Sequence, residues 1–144
     1  MPSGPSFDDL LLQAHLIATA ATAGMVWVVQ LVVYPAFRTV GPTAAWSAYH
    51  RRHTSAMAAV ISVPWAVQGL AVGLLLLRRT GPLVLLTAAL AAVTVLVTVV
   101  VSVPLHTRLV VAYDDALARR LIRTNWWRTA AWTAGTCCAA LLAG

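Results

Sequence analysis

The sequence predicts an all-α integral membrane protein, a four-helix bundle with antiparallel helices. Of its 144 residues, 60% are hydrophobic and only 10% are charged, and the mean hydropathy is +0.82. Soluble domains average about 45–50% apolar and about 25% charged residues. A chain this short cannot bury so much apolar surface within itself, so lipid must cover much of it. An ordinary soluble enzyme, a disulfide-rich secreted module and a disordered tail are therefore excluded.

Four apolar runs define the predicted spans of a single transmembrane domain. They cover about residues 10–33, 55–77, 82–103 and 127–142. Three runs reach the ~20 residues that a helix needs to cross the hydrocarbon core, and the fourth is shorter with a Trp-rich start. The runs lack the alternation of barrel strands, which favours helices. Small residues are frequent in every run and allow the helices to pack closely.

The distribution of the arginines predicts the orientation. Seven of them lie in the connections after the first and third spans, whereas Arg78 and Arg79 lie between the second and third. The positive-inside rule therefore places the seven arginines in the cytoplasm and both termini outside. The basic residues do not form one patch, so nucleic acid is not expected as a partner. The lipid bilayer is the expected partner instead.

Two local features predict where helices begin and end at the cytoplasmic side. Residues 114–123 have aspartates at their start, arginines at their end and apolar residues at helical spacing. They predict a short interfacial helix between the third and fourth spans. Pro35 is predicted to end the first helix, because proline cannot donate a backbone hydrogen bond.

Three of the four histidines lie on the predicted cytoplasmic side. His50 and His53 share a helix face, and His106 follows the third span, so the topology can bring all three together. Imidazole commonly binds zinc, copper and iron, and Asp114 is a candidate fourth ligand. Two alternatives remain open: hydrogen-bonded packing residues, and a metal-free general base or proton carrier. His15 lies far from this group and is expected to form a local hydrogen bond.

Further polar residues lie near the same end of the spans. Gln30 is expected to face the bundle interior, and Tyr34 belongs either to an interfacial aromatic belt or to a pocket. Asn125 is either a helix cap or a member of the site. Arg128 either snorkels or points inward, where it could hold a carboxylate, a phenolate or a developing oxyanion. No Asp or Glu lies within a span, which disfavours a proton-coupled exporter.

Four short motifs follow one another in the order Gln30…Tyr34-Pro35…Phe37, Tyr49-His50-x-x-His53, Val103-Pro104-x-His106 and Thr124-Asn125-Trp126-x-Arg128-Thr129…Trp132. Together they resemble a group of small bacterial four-span membrane proteins that is similar to the broader anthrone-oxygenase-like family. The resemblance covers about residues 27–132. It implies an oxygen-using enzyme of the bacterial cytoplasmic membrane. The named activity of that family oxidises an anthrone, a flat phenolic tricycle, to a quinone.

The resemblance also implies roles for individual residues. His50, His53 and His106 would be bases or metal ligands, and Arg128 would hold the substrate anion. The residues that would shape the pocket or bind a cofactor are Gln30, Tyr34 and Asn125. Iron or copper is expected rather than zinc, because zinc has no redox change. The expected partners are a lipophilic substrate, molecular oxygen and, in a homo-oligomer, further copies of the chain.

Two rival functions remain open at this point. A haem protein would use two of the histidines as axial ligands. A small transporter or accessory membrane subunit would need no catalytic residue.

Overall fold

The computed structural model describes residues 4–144, and this part of the chain is helical without strands. Its four helices are α1 (Phe7–Val40), α2 (Trp46–Arg78), α3 (Pro82–Val111) and α4 (Asp115–Ala143). The all-α prediction is confirmed. Three helices, α1 to α3, are long and apolar enough to cross a membrane. All of these helices extend beyond the spans predicted from hydropathy.

Two helices continue past a proline because each forms a local π-helical segment before it. Five-residue π-helical segments, Val29–Val33 in α1 and Thr98–Ser102 in α3, each end two residues before a proline. A proline ring clashes with the carbonyl four residues earlier in an α-helix. A π turn changes that spacing, and the residue before each proline donates its N–H five residues back instead. The predicted end of the first helix at Pro35 is therefore wrong, because α1 continues to Val40.

The prediction of a separate interfacial helix is also corrected. Residues 115–123 form the first turns of α4, which continues without a break to Ala143. Asp114 caps this helix, since its carboxylate accepts a hydrogen bond from the Leu117 N–H at 2.8 Å. No Gly or Pro interrupts residues 115–134, so nothing separates the two predicted helices. One buried stripe runs along the helix at spacings of three and four residues, through Ala118, Leu121, Asn125, Thr129 and Trp132.

Buried apolar clusters occupy both ends of the molecule. The cluster at the histidine end, defined here as the end that carries His50 and His106, contains Phe37, Trp46 and Leu109. At the other end, Asp8 forms ion pairs with both Arg78 and Arg79. In between, the His15 ring lies 3.2 Å from the Thr87 hydroxyl, which joins α1 to α3. The local bond expected for His15 is thus accompanied by a long-range one.

Candidate functional site

A cleft of about 440 Å³ opens between α2 and α3, and residues of α1 and α4 also line it. Most of its lining is apolar, with Met57, Ile61 and Trp65 contributed by α2. The polar lining residues gather mainly toward the histidine end. Those that the sequence singled out are Tyr34, His53, His106, Asn125 and Arg128. The structure therefore brings together residues from all four helices.

Three side chains from three helices form a hydrogen-bonded chain at this end. Nδ1 of His106 lies 3.1 Å from Nε2 of His50, and Nε2 of His106 lies 3.2 Å from the Tyr34 hydroxyl. Each imidazole donates at one nitrogen and accepts at the other, so the chain can run in either direction. In one direction, Tyr34 donates to His106. In the other direction, the Tyr34 hydroxyl hydrogen is free to point into the cleft.

The three histidines occupy different positions relative to the cleft. His50 is fully buried, with its ring against Trp46 and Phe37. It lies behind His106 and does not line the cleft. His53 lines the cleft, and its ring centre is 6.0 Å from that of His106. Within residues 4–144 the His53 side chain has no hydrogen-bond partner, so it is the free imidazole of the site.

A second polar chain fixes the position of Arg128. The Gln30 amide donates to the Ile122 carbonyl at 3.3 Å, and the Asn125 amide donates to Oε1 of Gln30 at 2.8 Å. Arg128 then donates from Nη1 to Oδ1 of Asn125 at 3.1 Å. Gln30 lies in the π-helical segment of α1, and its side chain reaches α4. Arg128 consequently lines the cleft beside Tyr34 rather than extending outward.

No carboxylate neutralises this arginine. The chain has only four acidic residues, and none of them lines the cleft. Asp8 and Asp9 lie at the opposite end, at the start of α1. Asp115 pairs with Arg38 and with Arg119. Arg128 is thus a half-buried cation whose protein partner is a neutral amide.

Unpartnered polar atoms concentrate at the same place. Four buried side-chain atoms in residues 4–144 lack a hydrogen-bond partner: His50 Nδ1, Ser102 Oγ, Arg128 Nε and Trp132 Nε1. Ser102 and Arg128 line the cleft, His50 lies behind it, and Trp132 is one turn along α4 from Arg128. Buried polar groups are normally paired, and each unpaired one costs about 1–3 kcal/mol. The cleft is therefore suited to a ligand with a polar end.

The histidines do not form a ready-made metal centre. Within the described residues, no group of three or more His, Cys, Asp or Glu side chains is positioned to hold an ion. The predicted ligand Asp114 serves as the cap of α4 instead. The 3.1 Å between the His50 and His106 nitrogens suits a hydrogen bond, and these two residues would hold a redox metal if one were bound. In the rival haem interpretation two of the histidines would hold the iron, which would supply one-electron chemistry.

Ser102 is a site residue that the sequence analysis did not single out. Ser102 lines the cleft and has a buried, unpartnered hydroxyl. It lies four residues before His106, and that spacing was the available signal for a shared helix face. The apolar face of α2 that forms one cleft wall was likewise not predicted, because nothing in an apolar run indicates which side faces a cavity.

Comparison of the chain with protein-family models, curated proteins and solved structures gave no significant match.

Proposed function

We propose that this chain is an integral membrane oxidoreductase that oxidises a lipophilic, acidic small molecule in the cleft, with molecular oxygen as the electron acceptor. The observation that carries the proposal is the polar end of the cleft. There, an arginine without a counter-ion and a histidine–histidine–tyrosine chain meet an otherwise apolar cavity. A partly buried cation without a counter-ion is costly, so an anionic ligand group is the natural complement of Arg128.

The proposed membrane arrangement is an antiparallel four-helix bundle with α4 as the fourth span. Contacts between α1 and α4 support it, because residues late in α1 meet residues early in α4. Arg38 lies near Asp115, and Trp27 packs edge-on against Trp126 with ring centres 5.7 Å apart. The seven arginines at the histidine end favour a cytoplasmic location for that end, with both termini outside. A bacterial cytoplasmic membrane follows from the family resemblance.

The shape of the cleft suits a substrate that enters from lipid. Trp65 and His53 both line it and lie twelve residues apart on α2, which corresponds to about 18 Å along the helix axis. The Trp65 end would lie within the hydrocarbon layer, and the His53 end would lie toward the basic interface. A molecule with an apolar body and one polar end would fit this cleft, because its apolar body would lie at the Trp65 end and its polar end would lie at the His53 end.

The site residues can support a proton-coupled oxidation. His53 has free ring nitrogens and would remove a proton from an acidic C–H or O–H group of the substrate. Arg128 and the Tyr34 hydroxyl would stabilise the resulting anion. For an anthrone-like CH₂ group, one O₂ would convert the carbon to a carbonyl, with one oxygen atom retained and the other released as water. His50 would hold His106 in position from behind.

Oxygen uptake tests this proposal directly. The purified protein in lipid nanodiscs would be mixed with an anthrone, and O₂ consumption and quinone formation would be recorded together. We expect one O₂ per quinone, and a strong loss of rate in His53→Ala, Tyr34→Phe and Arg128→Gln. The matched control is His15→Gln, which alters a buried histidine outside the cleft and should retain the rate. Binding of the anthrone without oxygen uptake would overturn the enzymatic function and leave a binding or transport protein.

Metal analysis and an absorption spectrum of the same preparations separate the cofactor alternatives. Near-stoichiometric iron or copper that disappears in His106→Ala would assign the histidine pair to a metal. A strong Soret band would indicate a cytochrome instead. Full activity of metal-free protein would leave the metal-free base mechanism as described.

A further inference from the structure

A second cavity, of about 500 Å³, lies at the histidine end and is lined by residues of α1 and α4. It is strongly basic. We define this basic cavity by Arg38, Arg119, Arg120, Ile122, Arg123 and Trp126. None of these residues lines the cleft, so the basic cavity is a separate feature of the molecule.

The charges in the basic cavity are only partly neutralised. Asp115 is the one acidic partner among the described residues, and it contacts Arg38 and Arg119. It also accepts a hydrogen bond from the Tyr113 hydroxyl at 3.0 Å. Burial and the neighbouring Asp115 carboxylate raise the pKa of Tyr113, so this hydroxyl stays protonated and remains a donor. Arg120 and Arg123 have no acidic partner in residues 4–144.

The basic cavity continues into an apolar surface on one side. Arg120 and Arg123 lie on the same face of α4, and Trp126 follows three residues later with 45% of its surface exposed. Trp126 packs against Trp27 of α1, and Leu31 of α1 is 59% exposed. Tryptophans with this exposure are typical of the boundary between hydrocarbon and headgroups. The arginines therefore lie at headgroup level if α1 and α4 cross a membrane.

We propose that the basic cavity binds the phosphate of an anionic phospholipid, whose acyl chains lie along the Trp126 surface. Arginine binds phosphate oxygens with two parallel hydrogen bonds, which suits a cavity with several guanidinium groups. Basic pockets between transmembrane helices bind anionic lipid headgroups in this way. The charge and the adjoining apolar surface together favour a lipid over a free anion. This site rests on the membrane location and does not depend on the chemistry of the cleft.

Lipid titration of the full chain tests the site. Delipidated protein in neutral detergent would be titrated with dioleoylphosphatidylglycerol, with dioleoylphosphatidylcholine and with inorganic phosphate at constant ionic strength. The readout is the shift of Tm. We expect saturable stabilisation by phosphatidylglycerol only, with about thirtyfold weaker half-saturation in Arg120→Gln/Arg123→Gln. The control Arg51→Gln/Arg52→Gln removes two exposed arginines of α2 that line neither cavity, and it should bind as the wild type does.

Three results would overturn the proposal. Equal stabilisation by phosphatidylcholine would remove the headgroup preference, and an equal loss in the Arg51/Arg52 control would indicate general charge attraction. Stabilisation by inorganic phosphate at the same concentration would indicate a soluble anion site. If the Arg120/Arg123 variant does not fold, Trp126→Ala replaces it, since the charges remain and only the apolar wall is removed. Unchanged phosphatidylglycerol affinity in Trp126→Ala would then exclude the lipid.

Discussion

His50 and His106 contact each other through Nε2 and Nδ1 at 3.1 Å, yet only His106 faces the cleft. The second nitrogen of His106 contacts Tyr34, so both of its ring nitrogens are engaged. A ring held at both nitrogens cannot rotate without breaking a bond. In the proposed reaction His50 would therefore be a positioning residue, and the reacting face of the site would belong to His53, His106 and Tyr34.

This division of roles predicts different outcomes for two neighbouring histidines. His50→Ala should lower the free energy of unfolding by about 2–4 kcal/mol, because it opens a buried cavity and leaves a His106 nitrogen unpaired. His53→Ala should cost much less stability, since His53 is half-buried and has no hydrogen bond. Tm measured in detergent compares them. His50→Gln, which retains a donor and an acceptor, should recover part of the loss. Equal losses for the two alanine variants would contradict the positioning role.

The second polar chain, which runs from Gln30 through Asn125 to Arg128, predicts a way to inactivate Arg128 without removing it. Asn125→Asp places a carboxylate where the Asn125 amide now accepts from Arg128 at 3.1 Å. An internal ion pair would then compete with an anionic ligand. We expect binding of laurate to weaken at least about tenfold, whereas dodecanol should bind unchanged because it has no charge. Asn125→Ala is the comparison, since it leaves Oε1 of Gln30 and Nη1 of Arg128 without their Asn125 partner and should lower Tm. Equal effects on laurate and dodecanol would show that the cleft has lost its shape rather than its charge.

The π-helical segment of α3 predicts an effect of Pro104. In Pro104→Ala the clash that favours the wide turn is absent, and the segment Thr98–Ser102 is free to return to α-helix. After a return to α-helix, this turn would contain about one residue fewer. The residues that follow it would then be rotated by about 100° about the helix axis, which would turn His106 away from His50. We expect a large loss of anthrone oxidation and a lower Tm, because the same rotation would turn the buried Leu109 away from Trp46. The control is Pro64→Ala in α2, where the helix contains a proline without a π segment. Full activity in Pro104→Ala would show that packing alone maintains the wide turn.

The lining of the cleft predicts that one small residue controls the access of a ligand to it. Ala58 lines the cleft and is exposed, whereas the adjacent Ala59 is exposed on α2 but does not line it. Ala58→Trp should fill the cavity and abolish binding of laurate, and Ala59→Trp should leave binding intact. Both substitutions are on exposed surface, so Tm should change little in either protein. Isothermal titration in nanodiscs measures the difference. Equal binding by the two variants would exclude the cleft as the ligand site.

Part of the site follows from the chain alone. The apolar runs predict helices. The short connection between α2 and α3 makes these helices antiparallel, which places the start of α2 and the end of α3, where the histidines lie, at the same end of the molecule. Tyr34, His53, His106, Asn125 and Arg128 all line one cleft, in line with the residues that the motifs single out. Gln30 is buried in the bundle interior, as expected, and contacts Asn125, whose Oδ1 accepts a hydrogen bond from Arg128.

Other features could not be derived from local patterns. The continuation of α1 past Pro35 depends on a π turn, which α-helical spacing does not reveal. Asp114 is a candidate ligand in the sequence because it lies on the same predicted side of the membrane as the three histidines, but its carboxylate caps α4. The burial of His50 depends on Trp46 and on Phe37 from another helix.

The sequence by itself determined the helical class, the apolar spans and the concentration of arginine at one end, because length, hydropathy and charge are properties of each segment alone. Tertiary structure decided the rotation of every helix about its axis. That rotation turned Arg128 into the cleft, placed His50 behind His106 and left His53 free. It depends on side-chain packing between helices far apart in the chain, such as the contact of Gln30 with Asn125. No single apolar run contains that information, since all faces of such a run are nearly equally apolar.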